Sequence, residues 1–142
     1  MPQSSNEALV RFAKLLIYTL QKLEQKDPIL CLKYLHPEKY GTIAIANYLS
    51  KEEIAPILDI FSNIIVDAYE IENPPVDTNA AELLMQRVMS KLGTYADYFE
   101  PSGLQNREQY KLPCEAVIKF YELILSEDKT TAGNGLRFAF SE

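Results

Sequence analysis

Leu9, Ala13, Leu16, Leu20 and Leu23 recur every three or four positions, and Glu7, Arg11, Lys14, Gln21 and Gln25 fall on the opposite side. That 3.6-residue period predicts an amphipathic helix, capped by Ser4, Ser5 or Asn6 and running to about Gln25. Asp27-Pro28 supplies an N-cap and a proline at the first helical position, so a short helix through Ile29, Leu30, Leu32 and Leu35 follows, ended by His36-Pro37. Pro37 to Gly41 reads as a loop. Thr42 to Leu49 fits a helical turn or a short strand equally well.

Ser50-Lys51-Glu52-Glu53 has the form of a capping box, the serine hydroxyl serving the N–H three residues on while the glutamate returns the bond. The helix it opens has a broad apolar arc: Ile54, Ile57, Leu58, Phe61, Ile64, Ile65, Ala68 and Ile71, widened by Ile60, Val66 and Tyr69. Only Asp59, Asn63, Asp67 and Glu70 are left for solvent, so this segment is expected to be the buried centre of the fold. Pro56 predicts either a kink or a start nearer Ile54. Pro74-Pro75 ends the helix, and Asp77, Thr78 or Asn79 caps another that Gly93 closes, with Ala81, Leu84, Met85, Val88 and Leu92 inward.

Thr94 to Lys111 reads as a polar loop with one short helical stretch, after which Pro113 opens a helix from Cys114 to about Leu125 that buries Val117, Phe120, Tyr121 and Ile124. Beyond Ser126, Gly133-Asn134-Gly135 reads as a turn, and the alternation of Leu136, Phe138 and Phe140 as a strand or extended tail. The segments Glu7 to Ile17 and Glu115 to Leu125 echo one another, as two amphipathic helices with the same burial demands do. The expected fold is a single all-α domain over residues 1–142. It is a compact bundle of four to five helices around a buried central helix at about 51–71, with a short irregular C-terminal tail.

Composition supports a self-sufficient core: 47% of the 142 residues are apolar. No run approaches 18 uninterrupted apolar residues, so no membrane span is expected. The N-terminus lacks a basic region followed by an apolar one, which favours a cytoplasmic location. The only cysteines, Cys31 and Cys114, qualify that expectation. If they form a disulfide they tie the second helix to the last, stabilise by about 4 kcal/mol in the chain-entropy model, and imply a periplasmic or exported protein. The alternative is two buried thiols packed as small apolar residues.

Charge is unevenly placed. From Glu52 to Gln86 there is no Lys or Arg, only Glu52, Glu53, Asp59, Asp67, Glu70, Glu72, Asp77 and Glu82, in a chain whose net charge is −6. A field of one sign steers oppositely charged surfaces and repels phosphate, so a basic protein partner is expected and nucleic acid is not.

Catalytic chemistry finds little to work with. The sole histidine, His36, stands five residues from Cys31, about 140° around a helix, which separates base from nucleophile. Neither a Cys/His metal cluster nor the Asp/Asn spacing and central glycine of a calcium loop is present, and the Gly133-Asn134-Gly135 segment lacks the lysine and preceding strand of a phosphate loop. No enzyme activity, cofactor or metal is expected. Tyr95, Tyr98 and Phe99 lie outside the main helices, where rigid aromatics serve as binding anchors or fold back as a lid.

These features lead to a non-enzymatic protein-binding domain in which Asp59, Asp67 and Glu70 steer a basic partner and Tyr95, Tyr98 and Phe99 anchor it. Such a domain would act by occlusion, as small acidic helical proteins that neutralise basic toxins do; the analogy with bacterial immunity proteins rests on charge and size alone. The alternative is a structural or assembly domain belonging to a larger membrane- or envelope-associated protein.

Overall fold

The computed structural model describes residues 6–70 and 75–140, with the side chains of residues 63–70 outside that description. Among the described residues the chain is all-helical, with seven packed helices and no strand: α1 (Asn6–Lys26), α2 (Pro28–Leu35), α3 (Pro37–Tyr40), α4 (Lys51–Glu70), α5 (Thr78–Leu92), α6 (Arg107–Leu125) and α7 (Lys129–Phe140). Short 3-10 segments cover Ile45–Asn47 and Gly93–Tyr98. The ambiguous segment before α4 is therefore a turn rather than a strand, and Pro37–Tyr40 forms one helical turn.

The centre belongs to α1, not to α4. Its stripe packs against α2, α4, α6 and α7, and it joins two clusters of buried side chains. Leu15, Leu20 and Leu23 meet Leu30, Leu49, Ile57 and Ile118 in the first. Leu9 and Ala13 meet Leu84, Val88, Leu92, Ile124 and Leu136 in the second. Each fully buried leucine stabilises by about 1.5–3 kcal/mol relative to exposure, so one helix serving both clusters organises the domain.

By contrast α4 has α1 as its main neighbour, and one neighbour covers only one side of a helix. Ile57 is buried, but Leu58 remains 64% exposed and Phe61 43% exposed. In the described part of α4 the apolar arc exceeds what the fold covers, which corrects there the expectation of a buried central helix. Phe61 makes an edge-on contact with Phe12 at 5.6 Å between ring centroids. The expected core roles of Ile64, Ile65, Ala68 and Ile71 fall outside the described residues.

Two further boundaries differ from the sequence reading. α6 begins at Arg107, because the Asn106 side chain accepts the Gln109 N–H at 3.0 Å, and Pro113 is accommodated inside it. The expected extended tail is the helix α7, which Asp128 starts by accepting the Thr131 N–H at 2.9 Å. Its glycines serve close packing: a Cβ on Gly133 would collide with the Asn6 side chain and one on Gly135 with Leu84 Cδ2. Arg137 of α7 is buried, and its Nη2 donates to Asn6 Oδ1 at 2.8 Å. Burial lowers its pKa below the ordinary guanidinium value.

Cys31 of α2 and Cys114 of α6 stand at disulfide distance, with 6.0 Å between their Cα atoms and 83 residues of chain between them. Both are fully buried within the first cluster. The crosslink joins two helices that already pack against each other.

Candidate protein-binding surface

The capping box at the start of α4 forms as its sequence dictates. The Ser50 N–H donates to Glu53 Oε1 at 2.8 Å, and the Glu53 N–H donates to Ser50 Oγ at 3.2 Å. Glu53 also faces Lys26 at 3.5 Å and Lys22 at 3.9 Å on α1, so its charge is spent within the fold. The hydrogen bond from Ser50, followed by the lysines, holds its carboxyl below the usual range.

Past this first turn α4 leaves two large apolar side chains, Leu58 and Phe61, exposed one helical turn apart. Glu52, Asp59 and Ser62 are exposed on the same helix, with Asp59 about 100° around it from Leu58. Lys51 is exposed at the helix start and is the one base on this stretch of α4. Asp59 is thus available as expected, whereas the side chains of Asp67 and Glu70 lie outside the described residues.

Tyr95, Tyr98 and Phe99 occupy the 3-10 turn after α5 and its end, and all three are half-buried. Phe99 stacks edge-on with Phe120 at 5.6 Å, and Phe120 passes the contact to Tyr121 at 5.2 Å. Tyr95 donates its hydroxyl to Glu115 Oε2 at 3.4 Å, and the Glu115 charge raises its pKa above the usual phenol value. This turn packs on α5 and α6, while α4 packs on α1. The acidic and aromatic residues singled out in the sequence therefore rest on different parts of the scaffold.

Between α1 and α6 the Glu24 carboxyl is held above its ordinary range, first by burial and then by the adjacent Glu115, with Lys111 opposing. The two cysteines are buried against each other, and His36 ends α2, its Nδ1 3.8 Å from Glu38, so neither cysteine nor histidine joins this carboxyl pair. Among the described residues no three His, Cys, Asp or Glu side chains gather as metal ligands do.

One surface was not anticipated. Leu83, Gln86, Arg87, Ser90 and Lys91 line a shallow groove along the outer side of α5, with Leu83 58% exposed. Arg87 contacts Glu127 at 3.3 Å. The available signal was the return of basic residues immediately after Gln86, where the acidic stretch ends. No protein-family model, curated protein or solved structure matches this chain.

Proposed function

We propose that this chain is a non-enzymatic protein-binding domain that receives a basic protein surface on the outer side of α4. The observation that carries this reading is the exposure of Leu58, 64%, and Phe61, 43%, one helical turn apart on a helix that also exposes the carboxylates of Glu52 and Asp59. Leaving large apolar side chains adjacent in water is unfavourable, and exposed apolar groups on a charged helix supply the components of an interface core and rim. The carboxylates raise the encounter rate and the apolar pair slows dissociation. Asp67 and Glu70 extend the acidic composition of the same helix.

Binding here blocks the partner's basic surface, so the domain acts by occlusion. Tyr95, Tyr98 and Phe99 form a second contact where the partner is large enough to reach the α5–α6 side. The disulfide-distance pair Cys31–Cys114 fits residence in an oxidising compartment.

Capture experiments on immobilised wild-type domain and on Leu58→Ser/Asp59→Lys test the reading. Basic proteins should be retained by the wild type, released as salt rises, and absent from the variant. Equal retention by both surfaces would overturn it.

A further inference from the structure

We propose that Glu24 of α1 and Glu115 of α6 form a proton-sharing clip that holds the aromatic turn at Gly93–Tyr98 through Tyr95, closing it in acid and loosening it toward neutral pH. The inference is independent of the α4 reading. Arg107, Lys111 and Glu115 follow one another at four-residue steps on α6, and Gln21, Glu24 and Gln25 occupy one side of α1. Across the seam between these packed helices, Glu24 and Glu115 meet in a side-chain hydrogen bond. Glu115 Oε2 also accepts the Tyr95 hydroxyl at 3.4 Å.

An ionised carboxyl only accepts hydrogen bonds, so two of them bond each other only when one carries a proton. With that proton in place, the Glu115 carboxylate takes Glu24 as one donor and Tyr95 as another, and a single side chain joins α1, α6 and the turn. Hydrogen bonds to an ionised acceptor are stronger than neutral ones. Once the proton leaves, neither carboxyl donates and two like charges face each other. Glu115 then shifts from its place between Glu24 and Tyr95, and the turn that leads into Tyr98 and Phe99 loses a fixed point on α6.

The surrounding charges set the direction. Burial of Glu24 and the Glu115 charge both favour the proton, and Lys111 opposes them. Lys111 shares its charge with Glu108 at 3.4 Å, which weakens that opposition. Arg107 lines the cleft beside Glu24 together with Gln21, Gln25 and Lys111, and α2 adds Pro28 but no charge to it. On the turn, the Glu115 charge, and less strongly that of Glu24, acts on the Tyr95 hydroxyl. Ion pairs on the other elements packed against α1 and α6 involve other residues: Glu53 with Lys22 and Lys26, Arg87 with Glu127, and Lys129 with Glu7. The clip is therefore complete while the shared proton is bound and is lost as pH rises through its release.

Amide hydrogen exchange of residues 94–99 in the full chain, expressed relative to unstructured peptide at each pH, tests the clip. Protection should fall severalfold in the wild type from acid to neutral pH. Glu24→Gln keeps a donor to Glu115 at every pH, so its protection should stay at the wild type's acid level. Tyr95→Phe should remove the pH dependence from the turn, while carboxyl-carbon NMR still shows the Glu24–Glu115 pair titrating in two separated steps.

Wild-type protection that does not change with pH, or that changes equally in Glu24→Gln, overturns the inference, as do two carboxyls that titrate independently. If Glu24→Gln fails to fold, the wild-type carboxyl titration and the Tyr95→Phe exchange profile decide between these results. None of them alters capture at α4, which the Leu58 and Asp59 substitutions test separately.

Discussion

Asn134 of α7 grips Asp77 at the start of α5 with both ends of its side-chain amide. Its Nδ2 donates to the Asp77 carbonyl at 2.9 Å and its Oδ1 accepts the Asp77 N–H at 2.8 Å. The Asp77 carboxylate meanwhile caps α5 by accepting the Ala80 N–H at 3.1 Å. A segment with the look of a hairpin turn thus serves as one face of a helix, the glycines on either side of Asn134 letting α7 approach Asn6 and Leu84.

Gly135→Ala distinguishes the two possibilities by sign. In an open helix the change stabilises by roughly 0.5–1 kcal/mol, but here the new methyl meets Leu84 and should cost about 1–3 kcal/mol. Urea denaturation would read this directly. A stabilised variant would mean α7 does not pack on α5 as described.

The Cys31–Cys114 crosslink closes a long loop between α2 and α6. Replacing both cysteines with alanine should cost about 2–5 kcal/mol. Before reduction neither thiol should react with an alkylating agent, even in denaturant. Alkylation without reductant would show that the pair is two thiols.

The carboxyls of Glu24 and Glu53 predict opposite pH behaviour. Glu24 is raised by burial and by Glu115, so its native pKa exceeds the unfolded one. The stability it contributes is full below the ordinary carboxylate range and is lost as pH rises through its native pKa. Relative to Glu24→Gln, the wild type should therefore weaken on going from acid to neutral pH. Glu53, lowered by the Ser50 hydrogen bond, contributes stability at neutral pH that disappears on acidification through its depressed pKa. Glu53→Gln should thus be destabilising at neutral pH, by less as the solution becomes acidic, and thermal melts of both variants across this interval would check the two signs.

Phe99 and Tyr98 should separate lid from anchor. Phe99 stacks on Phe120 at 5.6 Å, so Phe99→Ala should cost at least about 0.5–1.5 kcal/mol, the worth of an aromatic pair beyond its burial. Tyr98→Ala, with no such stacking partner described, should cost less. If melting temperatures fall in the reverse order, the turn is oriented differently.

Much of the fold was legible because its signals are local. The stripe of α1, the Asp27-Pro28 start of α2, the capping box at Ser50, and Gly93 at the end of α5 each depend on residues within one turn of each other. α7 was misread because Leu136, Phe138 and Phe140 alternate and because the packing that requires its glycines comes from Asn6 and Leu84, remote in sequence. The place of α4 was misread for a related reason. Its breadth of apolar residues looks the same whether neighbours cover it or a partner must, and only the packing of α4 chiefly on α1 shows that Leu58 and Phe61 are left over. Asp59 was legible as a solvent residue, while the α5 groove combines a leucine with two bases that each look ordinary in the sequence.

The most direct test of the α4 surface is the kinetics of one basic protein partner binding to the immobilised domain. Asp59→Lys should lower the association rate at low ionic strength and converge with wild type as salt rises, because exposed charges act only over about a Debye length of 8–10 Å. Leu58→Ser should leave association nearly unchanged and raise the dissociation rate, since burial of the apolar pair takes place after encounter. Unchanged association for Asp59→Lys together with unchanged dissociation for Leu58→Ser, in variants that melt like the wild type, would contradict the account.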